Sequence, residues 1–69
     1  DYDVEKSKLD KATKITPGFE SPTISPLHDE VWVAVRAMVK RKDMHKVMDD
    51  LYNIGAKAII VTEIMACRL

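Results

Sequence analysis

The run VWVAVRAMV, residues 31–39, limits more than any other feature how this chain can fold. Its side chains alternate between the two faces of a β-strand, with Val31, Val33, Val35, Ala37 and Val39 on one face and Trp32, Ala34, Arg36 and Met38 on the other. Because both faces are largely apolar, we predict a central strand that is covered on both sides.

Two helices are predicted around this strand. The first runs from Val4 to Thr16 and ends at Pro17-Gly18, because proline disfavours helical backbone in the residue before it and glycine tolerates positive φ. The second runs from Asp43 to Gly55, with Asp43 as its N-cap and Gly55 as its stop. Its apolar stripe is formed by Met44, Val47, Met48, Leu51 and Ile54.

Three further segments are predicted to be strands. SPTISPLH, residues 21–28, suits the edge of a sheet, where Pro22 and Pro26 are tolerated. AKAIIVTEIMACRL, residues 56–69, is rich in β-branched residues and is predicted as the final strand. DYD at the front is the tail of an earlier, truncated strand. The resulting order, β-α-β-β-α-β, predicts an α+β, ferredoxin-like split βαβ fold, with an antiparallel sheet and two helices on one face.

The short length restricts what can stabilise this fold. The 69 residues support one domain, 1–69, and a chain of this size buries only about 60% of its unfolded surface. The single cysteine, Cys67, excludes an internal disulfide, which leaves a partner subunit, a metal or membership of a larger chain. Because the chain opens on DYDV without methionine, we expect a fragment of a longer protein.

Charge and hydropathy disfavour several partners. Eleven basic residues balance eleven acidic ones, so no global field attracts nucleic acid or an anionic membrane. No apolar run approaches the roughly 18 residues of a transmembrane helix. A lone thiol without an export signal favours the cytoplasm. His28, Asp29, Glu30, His45 and Cys67 lack the spacing of a closed metal site, so no metal is expected in this chain.

The segment TPGFESPTISPL, residues 16–27, holds three prolines and four hydroxyl side chains between two patterned elements. Proline, glycine and hydroxyl residues are common in turns, so a connecting loop alone accounts for this composition. A segment stiffened by proline also loses little freedom on binding, and its hydroxyls both donate and accept hydrogen bonds. From the residues alone, it is either a connector or a binding surface.

Four stretches together, ATKITPGFESPTISPL, WVAVRAMV, KRKD and GAKAIIVTEIMACRL, resemble the C-terminal regulatory domain of long-form ATP phosphoribosyltransferase. The resemblance covers nearly all of the chain. It implies a parent enzyme that condenses ATP with phosphoribosyl pyrophosphate, using Mg²⁺, to give phosphoribosyl-ATP and pyrophosphate in the first step of L-histidine biosynthesis. It also implies that this domain binds L-histidine for feedback inhibition, supports a hexamer, and carries no catalytic residue, metal or cofactor of its own.

The same resemblance implies an effector site for L-histidine. Asp3 would face a charged or N–H-bearing part of the ligand, and Thr23 would offer its hydroxyl. Phe19 and Ser21 would contribute largely through backbone, and Ala58 would present a carbonyl at the start of the last strand. Phe19 stands where the family usually has leucine.

Two other functions compete with this one. An RNA-recognition module of the same topology needs exposed aromatic residues and a basic surface, and this chain offers Trp32 alone with zero net charge. An assembly domain without ligand would associate through the sheet face that carries Trp32 and Met38, and it stays open as the alternative.

Overall fold

A three-stranded antiparallel sheet and two helices make up the part of the chain that the computed structural model describes, residues 1–18 and 21–65. The strands are β1 (Tyr2–Glu5), β2 (Thr23–Pro26) and β3 (Trp32–Arg36). The helices are α1 (Leu9–Ile15) and α2 (Met44–Asn53), preceded by the 3-10 turns Lys6–Lys8 and Arg41–Asp43. This arrangement is an α+β, ferredoxin-like split βαβ fold, which confirms the predicted fold class.

The strand β3 is central, as its sequence predicts. The strand order is β1-β3-β2, and both pairings are antiparallel. In the register with β1, Val33 lies opposite Val4 and Val35 lies opposite Tyr2, and all four side chains are buried. The proline-containing strand β2 is an edge strand with four exposed residues, also as predicted.

The hydrophobic core lies between the helices and one face of the sheet. Its buried members are Tyr2, Val4, Ala12, Val33, Val35, Leu51 and Ala56. Ala12 comes from α1 and Leu51 from α2, so both helices cover the same face. The opposite face carries the side chains of Asp3, Ala34 and Ser25, which follow one another across the three strands.

The structure differs from the predicted element boundaries at three places. α1 begins at Leu9 rather than Val4, because Val4 is completely buried as a residue of β1. β3 is shorter than residues 31–39, because its partner strands pair only with residues 32–36. Asp43 makes no side-chain cap for α2 and instead ends the preceding 3-10 turn. Gly55 does adopt the predicted left-handed backbone, with φ of 90°.

The predicted final strand, residues 56–69, is wrong for the part that the structure describes. An isolated antiparallel bridge between Asp3 and Lys57, and two backbone hydrogen bonds between Asp1 and Ile60, join this segment to β1 and the residue before it. Residues 58–65 belong to no strand, and residues 66–69, with Cys67, lie outside the described residues. Regular pairing is interrupted at Ala58, whose φ of 52° lies outside the β region.

A buried hydroxyl pair fastens β1 to the end of α1. The Tyr2 hydroxyl lies 2.6 Å from Thr16 Oγ1, and Thr16 Oγ1 also donates to the Ala12 carbonyl at 3.1 Å. Burial raises the pKa of the Tyr2 hydroxyl above its ordinary value, and the hydrogen bond with Thr16 offsets part of this rise. The pair therefore fixes where the segment after Thr16 leaves the core.

Within residues 1–18 and 21–65, neither helix has the length and apolar character needed to cross a lipid bilayer.

Candidate functional site

A cleft of about 520 Å³ lies at the end of the sheet where β1, β3 and β2 meet the segment after Lys57. We call it the polar cleft; its lining residues are Asp1, Tyr2, Asp3, Thr23, Ser25, Ala34, Val35, Arg36, Ala58 and Ile60. Its volume lies within the roughly 300–1,000 Å³ typical of small-molecule sites. Carboxylates, hydroxyls and one guanidinium converge here, so the cleft suits a polar ligand.

The small side chain of Ala34 leaves space in the polar cleft between β1 and β2. Asp3 on β1 and Ser25 on β2 both lie opposite Ala34 in the strand register. Neighbouring strands are spaced by about 4.8 Å, so these two residues stand roughly 10 Å apart with only a methyl group between them. A carboxylate therefore faces a hydroxyl across a gap that a small molecule can enter.

Asp3 is held firmly by its backbone while its carboxylate is available. Its N–H donates to the Lys57 carbonyl at 2.8 Å, and the Lys57 N–H donates back to the Asp3 carbonyl at 2.8 Å. The side chain is half-buried, and within the described ranges its carboxylate has no hydrogen-bond or ion-pair partner. Such a group is suited to accept hydrogen bonds from a bound ligand.

The guanidinium of Arg36 forms a two-pronged contact with Asp1 at one end of the cleft. Arg36 Nε donates to Asp1 Oδ1 at 3.0 Å, and Arg36 Nη2 lies 3.5 Å from Asp1 Oδ2. Both side chains are well exposed, so the pair contributes little stability. The contact holds one carboxylate of the polar cleft against the one guanidinium that lines it among residues 1–18 and 21–65.

Ala58 lines the polar cleft from the side opposite β2. Its backbone is left-handed, with φ of 52°, and no other non-glycine residue in the described ranges has positive φ. Left-handed backbone costs an L-residue roughly 1–2 kcal/mol. Strained residues of this kind are frequent at binding sites.

Comparison with known proteins decides which family this arrangement belongs to. The family model for "HisG, C-terminal domain" matches residues 1–66. The chain belongs to this family. An ATP phosphoribosyltransferase from Streptomyces coelicolor is 62% identical over 69 residues, which is 100% of this chain and 24% of that protein. An ATP phosphoribosyltransferase from Pseudarthrobacter chlorophenolicus is 55% identical over 69 residues, which is 100% of this chain and 24% of that protein. Another, from Mycolicibacterium gilvum, is 59% identical over 68 residues, which is 99% of this chain and 24% of that protein. This chain thus spans about a quarter of the length of these relatives.

The structure brings together three of the five effector-site residues predicted for this HisG C-terminal domain. Asp3, Thr23 and Ala58 all line the polar cleft, although they are widely separated in sequence. Ser21 is exposed and lies just before β2, outside the cleft lining. Phe19 lies outside the described residues.

The residue-based prediction of the site omitted several lining residues. Ser25 and Arg36 share the sheet face of Thr23, and the alternation of each strand was the signal that could have found them. Asp1 and Ile60 join the cleft through mutual backbone hydrogen bonds of 2.7 and 2.9 Å, and no sequence pattern predicts this pairing.

The two residues predicted for oligomer contact lie in different places. Trp32 is half-buried opposite Glu5, and the Lys57 ammonium lies 5.0 Å from its ring centroid, close enough for a cation–π contact. Met38 lies beyond the end of β3 and lines a second, larger cavity of about 830 Å³ beside α2. Side-chain alternation along one strand predicts that Trp32 and Met38 share a sheet face. Because β3 ends at Arg36, Met38 does not continue the face that carries Trp32.

The larger cavity is mainly apolar and adjoins the polar cleft. Met44, Val47 and Met48 of α2 line it, and Arg41 and Glu63 form an ion pair between two of its lining segments. Four residues line both spaces: Asp1, Tyr2, Arg36 and Ile60. In residues 1–18 and 21–65, no three potential ligands of the His, Cys, Asp and Glu types cluster to hold a metal ion.

Proposed function

We propose that this domain binds L-histidine in the polar cleft and conveys feedback inhibition to an ATP phosphoribosyltransferase. The observation that carries the proposal is the convergence of Asp3, Thr23 and Ala58 on one cleft. These are residues to which the family resemblance assigns effector contacts. Family membership and identity of 62% to a protein named ATP phosphoribosyltransferase support the connection with histidine biosynthesis.

The chemistry of the cleft suits a free amino acid that bears several N–H groups. The Asp3 carboxylate accepts hydrogen bonds, and the Thr23 hydroxyl both accepts and donates. Hydrogen bonds between a charged donor and a carboxylate are roughly twice as strong as neutral ones, so Asp3 favours a cationic or strongly polarised N–H group. The ligand would lie over Ala34 with acceptors on both sides.

Catalysis belongs, in this proposal, to a part of the parent protein outside this chain. Relatives named ATP phosphoribosyltransferase are about four times as long as the segment that they share with this chain. The condensation of ATP with phosphoribosyl pyrophosphate, its Mg²⁺ requirement, the hexameric assembly and the cytoplasmic location are all part of the proposal. No step of the reaction is assigned to residues of this chain.

Calorimetric titration of the chain with L-histidine tests the binding. We expect Asp3→Ala and Thr23→Ala each to weaken binding at least tenfold, because each removes a hydrogen-bonding group that faces the ligand. Asp10→Ala is the matched control, since Asp10 is an exposed carboxylate on α1. Equal affinity in the chain and in all three variants would contradict the assigned cleft.

A chimaera tests the regulation. The Streptomyces coelicolor relative matches the whole of this chain, so its corresponding segment can be replaced by these 69 residues. We expect L-histidine to inhibit the chimaera, and Asp3→Ala to leave uninhibited activity intact while abolishing the inhibition. A chimaera that is fully active and insensitive to L-histidine would contradict the regulatory function.

An assembly domain without ligand is the second candidate. The segment after the Lys57 bridge exposes large apolar side chains, with Ile60 59%, Ile64 54% and Met65 93% exposed. Exposed apolar residues so close together are typical of surfaces that contact another chain. Sedimentation at several concentrations distinguishes the two candidates: association without any affinity for L-histidine would favour assembly alone.

A further inference from the structure

Arg36 provides the only cationic side chain that lines the polar cleft in the described part of the chain. It lies two residues beyond Ala34 on the same face of β3, and Thr23 lies opposite it on β2. The carboxylates of Asp1 and Asp3 line the same cleft. A carboxylate on a ligand would be repelled by these two aspartates, so Arg36 is the side chain that can attract it.

The guanidinium of Arg36 has one edge that is still available. A guanidinium carries five N–H donors in one plane, and a carboxylate binds it best through two parallel hydrogen bonds. The edge formed by Nε and Nη2 is used for Asp1, at 3.0 and 3.5 Å. Nη1 forms no hydrogen bond or ion pair with any described residue. Because the side chain is 78% exposed, the edge formed by Nη1 and Nη2 is accessible to a ligand.

The contact with Asp1 also determines where this available edge points. The backbone of Asp1 is held by two hydrogen bonds with Ile60, of 2.7 and 2.9 Å. Since the guanidinium is planar and rigid, a contact at one edge sets the direction of the other edge. An arginine that is oriented in this way loses less side-chain freedom when a carboxylate binds to it.

We propose that Arg36 is a specificity-determining residue of the polar cleft, whose available edge binds the carboxylate of an amino-acid ligand while Asp1 orients it. The proposal rests on the proposed binding of L-histidine and names the group that receives its carboxylate. Asp3 and Arg36 lie on different strands and line one cleft, so they suit the oppositely charged groups of a zwitterion. The cleft therefore prefers an α-amino acid to an amine with the same side chain.

Calorimetric titration of the unchanged chain and of Arg36→Gln with L-histidine and with histamine tests the assignment, because histamine lacks the carboxylate. We expect Arg36→Gln to weaken L-histidine binding at least tenfold, since a charge-assisted pair is lost while both aspartates remain. Histamine is a cation and should bind the variant as well as, or better than, the unchanged chain. Arg36→Lys keeps the charge without the planar fork and should restore only part of the affinity for L-histidine.

Arg41→Gln is the matched control, because Arg41 is an exposed, ion-paired arginine that lines only the larger of the two cavities. It should leave the affinity for L-histidine within about twofold of the unchanged chain. Titration of the chimaera with L-histidine excludes a contribution from the terminal amino group, since a peptide N–H replaces that group at Asp1. The loss caused by Arg36→Gln should be the same there.

A measurement on the unchanged chain keeps the proposal falsifiable if Arg36→Gln does not fold. With the guanidinium nitrogens of Arg36 labelled, the Nη1 resonance should move on addition of L-histidine. A stationary resonance, undiminished L-histidine affinity in Arg36→Gln, or equal losses for L-histidine and histamine would overturn the assignment to Arg36 while leaving the proposed function intact. Absence of L-histidine binding by the unchanged chain and the chimaera would instead overturn both.

Discussion

The Tyr2 hydroxyl and Thr16 Oγ1 lie 2.6 Å apart in the core, and this contact joins the first strand to the end of the first helix. Thr16 is buried although it is polar, with 2% of its surface exposed. Its hydroxyl is satisfied by Tyr2 and by the Ala12 carbonyl. A buried polar pair is stabilising only while both partners are present, because an unmatched hydroxyl carries a desolvation penalty.

Removal of one hydroxyl from this pair is expected to destabilise the fold. Tyr2→Phe should lower the free energy of unfolding by about 1 kcal/mol, since the lost hydrogen bond is neutral and Thr16 keeps its bond to Ala12. Thr16→Val should cost a similar amount, and the double variant should cost less than the sum of the two. Urea denaturation measures all three; strictly additive losses would show that the hydroxyls do not interact.

The same tyrosine is expected to make stability decrease at alkaline pH. Burial raises the pKa of Tyr2 in the folded state above the value of about 10 in the unfolded chain. The folded state therefore favours the neutral phenol, and its stabilisation is complete below pH of about 10 and is lost as the pH rises through the folded pKa. Denaturation midpoints between pH 8 and 11 should fall more steeply for the unchanged chain than for Tyr2→Phe. Tyr52→Phe, at an exposed tyrosine, is the matched control, and equal slopes in all three proteins would contradict this assignment.

Truncation of a buried side chain of α2 is expected to lower the free energy of unfolding substantially. Leu51 is 2% exposed, so Leu51→Ala should cost about 3 kcal/mol through lost burial and a new cavity. That is a large share of the roughly 3–10 kcal/mol expected for a domain of this size. Ile64→Ala, at a residue that is 54% exposed, should change the free energy of unfolding by less than about 0.5 kcal/mol. Similar losses in the two variants would contradict the described core.

Enlargement of the cleft floor is expected to block the proposed binding of L-histidine without unfolding the domain. Ala34→Leu adds three carbon atoms between Asp3 and Ser25, where the ligand would lie. Calorimetry should show at least a tenfold loss of L-histidine affinity, with a thermal midpoint within a few degrees of the unchanged chain. Ala34→Ser keeps the side chain small and is the control. Retention of affinity by the leucine variant would place the ligand elsewhere.

The turn after α2 is expected to require glycine. Gly55 has φ of 90°, and a Cβ there would meet only Lys8 Nζ, at an ordinary 3.5 Å. Gly55→Ala should therefore cost about 1–2 kcal/mol through backbone strain rather than through crowding. Ala58→Gly relieves strain of the same kind and should not lower the free energy of unfolding by a comparable amount. Equal stability of Gly55→Ala and the unchanged chain in urea would contradict this account.

The elements with strong periodicity could be predicted from the sequence, and the irregular ones could not. Val33 and Val35 alternate with less buried neighbours, and Leu51 belongs to a helical stripe, so the central strand and the second helix followed from side-chain spacing. The β-branched run after Lys57 has the composition of a strand, yet the left-handed backbone at Ala58 depends on pairing with β1, which local composition does not encode.

In the candidate site, too, residues in regular strands could be predicted from the sequence and residues joined by irregular backbone contacts could not. Thr23 and Ser25 occupy alternate positions of β2, so strand periodicity assigns them to one face. Asp3 and Ala58 meet because the fold brings the two ends of the chain together, and only family resemblance indicated that pair beforehand. Asp1 and Ile60 were not predicted, because their contact arises from backbone hydrogen bonds that any residue type can form.

The two cavities share four lining residues, Asp1, Tyr2, Arg36 and Ile60. A substitution at any of these positions changes the shape of both the polar cleft and the larger, apolar cavity. Such a change therefore cannot alter one space without altering the other. Natural variation that changes the preference of the proposed site for its ligand is then expected at positions that line the polar cleft alone, such as Ser25 or Ala34. It is expected less often at the four shared positions.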